Sequence, residues 1–102
     1  MAHFIYILQC SDASLYVGYA TDVEKRLDVH QSGRGGAYTS KRLPANLVFQ
    51  EELPSLDFAR KRERQLKRWK HAKKLALIAG DLPTLKSLSR STRIKARTNR
   101  SR

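Results

Sequence analysis

The chain has 102 residues, of which 40% are hydrophobic, with one cysteine and a formal net charge of +12. This length predicts one domain with a modest core, and the lone Cys10 excludes both an intramolecular disulfide and a cysteine-based zinc cluster. No apolar run approaches the roughly 20 residues of a membrane span, so we expect a cytoplasmic protein with no membrane partner.

Two short strands are predicted at the start of the chain. "FIYILQC" (4–10) and "LYVGYA" (15–20) are apolar, β-branched and aromatic, and the polar "SDAS" between them predicts a hairpin. Gly18 lies inside the second strand, where glycine weakens pairing unless a ligand or another backbone approaches closely. The phosphate backbone of a nucleic acid would be such a ligand.

A helix is predicted next, followed by a loop and a third strand. In "TDVEKRLDVHQSG", Thr21 and Glu24 have the spacing of a capping box, and Gly33 supplies a stop. Residues 33–46 are predicted as a glycine-containing loop and "LVFQE" (47–51) as a strand. Together these elements predict an α/β fold with a small antiparallel sheet of about three strands flanked by helices.

Two functional side chains share one face of the predicted helix. Arg26 and His30 are four residues apart, so both project from the same side. Arginine offers phosphate a fixed fork of donors, and histidine exchanges a proton near neutral pH. The alternatives are that Arg26 is a surface cation beside Asp22 or Asp28 and that His30 is a hydrogen-bonded packing residue.

A long basic helix is predicted to begin at Pro54 and Ser55 and to end, after its continuation, at Gly80. From Ser87 onward the sequence has few apolar residues and much positive charge. Such a composition cannot bury enough apolar surface to fold alone. We therefore predict one domain over residues 1–80 and a basic, flexible tail over residues 81–102.

The positive charge is concentrated in the second part of the sequence. Residues 60–102 contain sixteen lysines and arginines against two acids, whereas residues 1–59 contain five against seven. This distribution is typical of a protein that binds nucleic acid, the alternative being a solvated helix face and a nonspecific tail. The candidate nucleic-acid contacts are Gly18, Tyr38, Lys41, Arg42, Arg60, Arg64, Lys67 and Lys70; Tyr38 has loop packing as its alternative role.

Glu63 is the single acid among the ten charged side chains of residues 60–74. It shares a 3-4-3 spacing with Leu56, Ala59 and Leu66, which predicts that it faces the protein body. A carboxylate there is costly unless it is paired, hydrogen-bonded or bound to a metal. The alternative to a metal is a cation on the same helix, either Lys67 or Arg60.

These residues together resemble the GIY-YIG nuclease superfamily. The resemblance rests on "FIY" at 4–6 and "YVG" at 16–18, then an arginine, a histidine four residues later, and a glutamate on a later helix. It covers about residues 3–79 and is close to the short standalone bacterial members. Phe4 replaces the first motif's glycine and Val17 replaces the second motif's isoleucine, and both changes leave the tyrosines in phase.

The resemblance implies a role for each of five residues. Tyr6 and Tyr16 are the paired active-site phenols, Arg26 the phosphate-binding cation, His30 a further polar site residue and Glu63 the ligand of Mg²⁺ or Mn²⁺. The implied function is a metal-dependent endonuclease that hydrolyses DNA, with RNA left open. The alternative is a non-catalytic nucleic-acid-binding protein on a nuclease scaffold.

The sequence does not decide which tyrosine is the general base. A phenol ionises near pH 10, so a tyrosine base needs a nearby cation or metal-bound water to favour its phenolate. Either Tyr6 or Tyr16 fits that requirement, the other then orienting the nucleophile. No lysine lies next to Tyr16 to lower its pKa, and no separate specificity domain is present, so we expect weak or structure-selective activity.

Overall fold

The computed structural model describes residues 2–88, and within them three antiparallel strands form one sheet. The strand order is β2-β1-β3, which makes β1 the central strand. The predicted hairpin and third strand are confirmed, and β3 extends on both sides of the predicted range. The strands are β1 (His3–Gln9), β2 (Leu15–Ala20) and β3 (Asn46–Leu53).

The chain also forms helices, so the predicted α/β class is confirmed. The first two precede β3 and the others follow it. A further helical segment is described over residues 82–88. The helices are α1 (Val23–Gln31), α2 (Ala37–Ser40), α3 (Leu56–Arg68) and α4 (His71–Ala79).

Two local predictions on the first helix and loop are corrected by the structure. The residue that caps α1 is Asp22, not Thr21, because the Asp22 carboxylate accepts the Lys25 backbone N–H at 3.0 Å. The loop predicted over residues 33–46 contains the single-turn helix α2. Gly33 has a φ of 85°, which agrees with its predicted place at the end of α1.

The predicted basic helix is divided into α3 and α4. The Ser55 hydroxyl accepts the Phe58 backbone N–H at 3.3 Å, which agrees with the predicted start of α3. The chain leaves helical geometry at Lys70, whose backbone is extended, and resumes at α4. Gly80 ends α4 in the left-handed conformation, with a φ of 71°, as predicted.

The core is built on β1, whose residues 5–8 are at most 1% exposed. Side chains alternate between the two faces of a strand, so Tyr6 and Leu8 share one face. They pack in a cluster with Val23 of α1 and with Cys10, which is buried as expected. Helix α3 packs against β1 and β2. Tyr6 is therefore held in the most buried strand of the molecule's sheet.

Backbone contacts divide the chain into two units, one ending at Arg68 and the other beginning at Trp69. The second unit includes α4, and in it the Lys73 ammonium lies 4.2 Å from the centre of the Trp69 ring. The predicted boundary between residues 80 and 81 stays a prediction, and most of the predicted tail lies outside the described residues. No helix within residues 2–88 has the length and apolar character to cross a membrane.

Candidate active site

Tyr6 lies directly opposite Gly18 across the β1–β2 pair. A Cβ on Gly18 would lie 2.5 Å from the Tyr6 hydroxyl oxygen and 2.6 Å from its Cζ. Because no real side chain tolerates such a distance, the phenol can lie over β2 only if this position is glycine. The protein's own ring thus accounts for Gly18, and its predicted contact with nucleic acid stays a prediction.

His30 connects Tyr6 to α2 through two hydrogen bonds. The Tyr6 hydroxyl lies 3.1 Å from His30 Nε2, and the Thr39 hydroxyl lies 2.8 Å from His30 Nδ1. His30 is 1% exposed and Thr39 is fully buried. The imidazole also lies directly against Gly35, where a Cβ would collide with it. Both nitrogens of a buried imidazole are therefore satisfied by the protein.

Aromatic rings extend this cluster from the core towards the surface. The Tyr16 ring centre lies 6.5 Å from that of Tyr6 and 5.2 Å from that of His30. On its other side it lies 6.0 Å from the ring centre of Tyr38, which is 39% exposed. Tyr16 itself is half-buried. Of the two predicted active-site phenols, Tyr16 is therefore the one with access to solvent.

Arg26 and Glu63 both act electrostatically on the Tyr6 hydroxyl. Burial first, and then the neighbouring Tyr16, raise the pKa of Tyr6 to about 12. The charge of Arg26 and its hydrogen bonding to the phenol oppose this rise, whereas the Glu63 carboxylate adds to it. Tyr6 therefore keeps its proton near neutral pH, which argues against Tyr6 as the general base.

His30 is neutral in the same environment. Its burial, and then the positive charge of Arg26, lower the pKa of the imidazole below its usual value. A neutral imidazole has one N–H and one lone pair, so it donates one hydrogen bond and accepts one. Of the other four residues implied by the resemblance, Tyr16 and His30 thus contact Tyr6 directly, and Arg26 and Glu63 act on it electrostatically.

Glu63 is the carboxylate available to a metal in this cluster. Its side chain is 19% exposed, and Oε2 lies 3.2 Å from Lys67 Nζ, so the alternative ion pair is present. In the predicted apolar stripe, Ala59 and Leu66 are buried, whereas Leu56 is 44% exposed, contrary to prediction. The stripe fails there because Leu56 is the first residue of α3.

A magnesium or manganese ion fits this donor set. Within residues 2–88, no group of three or more histidine, cysteine, aspartate or glutamate side chains is arranged to hold a metal. Magnesium nevertheless commonly takes one or two carboxylates and completes its shell with water and substrate phosphate. The ion pair occupies Oε2 of Glu63, and among the described residues Oε1 has no recorded partner. Glu63 alone would therefore anchor the ion.

Arg26 also borders an open depression of about 270 Å³ at the junction of β2 and α1. Lys25 and Thr21 line it as well, and they supply a second cation and a hydroxyl. Both kinds of side chain are common contacts of phosphate oxygens. This depression places space for a phosphate beside the cation that the resemblance assigns to phosphate binding.

The predicted nucleic-acid contacts fall in separate parts of the chain. Arg42 is held by Asp12 at 3.0 Å and by the Tyr38 carbonyl at 2.8 Å, and its guanidinium lies 4.0 Å from the centre of the Tyr38 ring. Lys41 follows α2 and is exposed. The remaining cations are Arg60, Arg64 and Lys67 on the exposed side of α3 and Lys70, which belongs to the second unit.

Sequence reasoning did not identify Thr39, Gly35 or Asp12. Gly35 and Asp12 lie in turns or loops and Thr39 lies in the single-turn helix α2, and in such segments no periodicity indicates which side chains point inwards. The one available signal was the close run of glycines before Tyr38, since glycine marks places where another group approaches closely. That signal does not specify His30 as the approaching group.

Comparison with known proteins agrees with this geometry. A family model described as the GIY-YIG catalytic domain matches residues 2–76. The chain belongs to the GIY-YIG family. The match confirms the resemblance drawn from the two tyrosine motifs and covers nearly the same residues.

The relatives are small bacterial proteins of the UPF0213 family. The UPF0213 protein SSP2268 of Staphylococcus saprophyticus is 48% identical over 77 residues, which cover 76% of this chain and 94% of that protein. The NMR structure of the UPF0213 protein BH0048 from Bacillus halodurans is 42% identical, with a TM-score of 0.51 over 78% of this chain and 84% of that chain. The protein EF2693 of E. faecalis is 34% identical, with a TM-score of 0.54 over 80% and 88% of the two chains.

Proposed function

We propose that this GIY-YIG domain is a divalent-metal-dependent endonuclease that hydrolyses phosphodiester bonds in DNA. The observation that carries the proposal is the meeting of two phenols, an imidazole, a guanidinium and a carboxylate around the Tyr6 hydroxyl. Hydrolysis of a phosphodiester needs a nucleophile, stabilisation of charge on the phosphoryl oxygens and help for the leaving oxygen. This set of groups is able to meet each need.

The proposed roles follow from the environment of each side chain. Arg26 binds the phosphate, because a guanidinium donates two parallel hydrogen bonds to phosphate oxygens. Glu63 would hold Mg²⁺ or Mn²⁺, which when bound supplies positive charge to the phosphoryl and leaving oxygens. Tyr16 is the proposed base for the attacking water, since Tyr6 retains its proton. Tyr6 and His30 hold these groups in place.

Binding of DNA is assigned to the exposed basic side chains around this cluster. Arg60, Arg64 and Lys67 lie at positions i, i+4 and i+7 of α3, so they share one face of the helix. Such cations neutralise phosphates without reading bases. We therefore expect binding with little sequence preference.

One observation favours the alternative, a protein that binds nucleic acid without cleaving it. Tyr6 and His30 are almost fully buried and hydrogen-bonded within the protein, as packing residues would be. In this binding-only alternative, Arg26 is one of many cations that bind phosphate and has no catalytic role. Cleavage and binding must therefore be measured separately.

The test compares Arg26→Lys with Arg34→Lys, the same change at an exposed position shortly after α1. Both variants keep the total charge and lose a guanidinium fork, but only the first loses it beside Tyr6. We expect Arg26→Lys to lower kcat for nicking about 100-fold, the typical cost of one lost donor to developing charge. Its affinity for the same DNA should stay near the wild-type value, as should both properties of Arg34→Lys.

Supercoiled plasmid and flapped or branched duplexes are suitable substrates, with Mg²⁺, Mn²⁺ or EDTA present. The nuclease proposal requires wild-type nicking that EDTA abolishes. A wild-type protein that binds these DNAs but cleaves none of them with either metal would favour the binding-only alternative. Equal losses of binding and cleavage in Arg26→Lys would assign Arg26 to docking.

A further inference from the structure

A buried chain of hydrogen bonds links three structural elements of the first unit. It runs from Tyr6 in β1 through His30 in α1 to Thr39 in α2, with distances of 3.1 Å and 2.8 Å. Each of these residues is at most 1% exposed. Water therefore has little access to these hydrogen bonds, and each nitrogen of the imidazole has one protein partner.

The surroundings of Tyr6 select the direction of these hydrogen bonds. Arg26 acts on the Tyr6 oxygen, and a guanidinium can only donate. Among the described residues, His30 Nε2 is the recorded hydrogen-bond partner of this buried phenol, so the phenol's proton is satisfied only when Nε2 accepts it. Since a neutral imidazole has a single N–H, that hydrogen is on Nδ1 and is donated to the Thr39 hydroxyl.

The loop before α2 is packed so that Thr39 reaches His30. Gly35 lies so close to the imidazole that a Cβ at this position would collide with Nδ1 and the ring carbons. One residue later, Gly36 has a φ of 119°, a conformation that favours glycine, and α2 begins directly after it. The two glycines thus allow α2 to approach His30 closely.

We propose that Thr39 is a positioning residue of the nuclease site. By accepting the Nδ1–H of His30, it holds the imidazole in one tautomer, which orients the Tyr6 hydroxyl and leaves the phenol oxygen free to accept from Arg26. Thr39 thereby acts on the orientation of Tyr6 and Arg26 without touching the substrate. The catalytic part of this inference rests on the proposed nuclease function.

Removing the Thr39 hydroxyl should reverse the direction of the hydrogen bond between Tyr6 and His30. In Thr39→Val, a side chain of similar shape, the Nδ1–H would lack its acceptor, and an unsatisfied buried donor is unfavourable. The other tautomer then directs Nε2–H at the Tyr6 oxygen, so His30 can no longer accept the proton of the phenol. Thr39→Ser keeps the hydroxyl and should keep the wild-type arrangement, which makes it the matched control.

The first readout is the tautomer of His30 itself, measured on the full chain by long-range ¹H–¹⁵N NMR. Signals of the other two imidazoles are assigned with His3→Asn and His71→Asn. We expect wild type and Thr39→Ser to carry the proton on Nδ1, and Thr39→Val to shift it to Nε2. A wild-type His30 protonated on Nε2 would overturn the proposal even if Thr39→Val failed to fold.

The second readout is the kinetics of DNA nicking. Loss of a partner that orients a functional histidine typically costs about 10- to 100-fold in activity. We expect a fall of that size in kcat for Thr39→Val, an unchanged KM, and rescue in Thr39→Ser. A changed tautomer with wild-type kcat would overturn the positioning role. A wild type that never nicks contradicts the proposed function alone, and the tautomer measurement then still decides whether Thr39 orders Tyr6.

Discussion

At the scale of single residues, the buried hydroxyl of Tyr6 makes the folded state sensitive to alkali. Its pKa is about 12 in the folded chain, whereas a tyrosine in an unfolded chain ionises near 10. A pKa raised by folding contributes stability that is complete below about pH 10 and is lost as the pH rises through about 12. This rise in the pKa of Tyr6, from about 10 to about 12, corresponds to about 3 kcal/mol of unfolding free energy.

Comparison with Tyr6→Phe isolates this effect, because the other titrating groups are common to both proteins. The variant loses the hydrogen bond to His30 and should be less stable at neutral pH by about 1 kcal/mol. Between about pH 9 and 12 its unfolding free energy should fall less steeply than that of wild type. Denaturant unfolding at several pH values gives both curves, and parallel curves would contradict the raised pKa.

The residues that carry the site were predictable from sequence to the extent that they lie on regular elements. The spacing of Arg26 and His30 placed both on one face of a helix, whereas the family resemblance identified Tyr6 and Tyr16 on their two strands. The different environments of the two tyrosines were not predictable. They depend on ring packing over Gly18 and on burial by distant parts of the chain.

At the scale of secondary-structure elements, the start of α1 positions Arg26 beside the depression at the junction of β2 and α1. The Asp22 carboxylate caps the helix, and Thr21 makes no such bond among the contacts described for this helix. We expect Asp22→Ala to lower the unfolding free energy by about 1 kcal/mol, whereas Thr21→Ala should have a much smaller effect.

Thermal or denaturant unfolding of the two variants tests that assignment. A larger loss of unfolding free energy in Thr21→Ala than in Asp22→Ala would support the capping box that the sequence predicted. Asp22→Ala should also leave the affinity for DNA unchanged or increased, since it removes a negative charge from the side of the depression beside Arg26.

Elements with a clear period were predicted well, and short or interrupted elements were not. The three strands and α1 follow alternation or helical spacing over six residues or more. Helix α2 spans a single turn, which is too short for any period. The break between α3 and α4 falls at Trp69 and Lys70, where neither proline nor glycine marks it.

At the scale of the whole molecule, the charge asymmetry predicts strongly salt-dependent binding. Residues 60–102 carry most of the lysines and arginines, and six of these lie within residues 87–102. Each lost phosphate contact should make the slope of log K against log[salt] shallower by about 0.9. Deleting residues 87–102 should therefore reduce the slope for duplex DNA.

The salt titration also locates the interface. A slope reduced by the deletion assigns the last residues of the chain to DNA binding. An unchanged slope would show that these residues take no part in the interface. The membership of the GIY-YIG family covers residues 2–76 and is independent of this outcome.

The proposed role of Glu63 is to bind a metal ion in addition to pairing with Lys67. The helix offers a matched control, because Asp57 pairs with Lys61 at the same i,i+4 spacing, with 3.6 Å between the charged atoms. Glu63 is 19% exposed and Asp57 is 81% exposed. As ion pairs, the two should each contribute only about 0.3–0.5 kcal/mol.

The most direct measurement is metal-dependent nicking by folded Glu63→Gln and Asp57→Asn beside wild type, with melting curves recorded on the same samples. An amide is a poor substitute for a carboxylate on a hard cation. We therefore predict that Glu63→Gln keeps its fold and its DNA affinity but loses nicking with Mg²⁺ or Mn²⁺, while Asp57→Asn cleaves like wild type. Wild-type cleavage by a folded Glu63→Gln protein would contradict the metal site and reduce Glu63 to an ordinary ion pair.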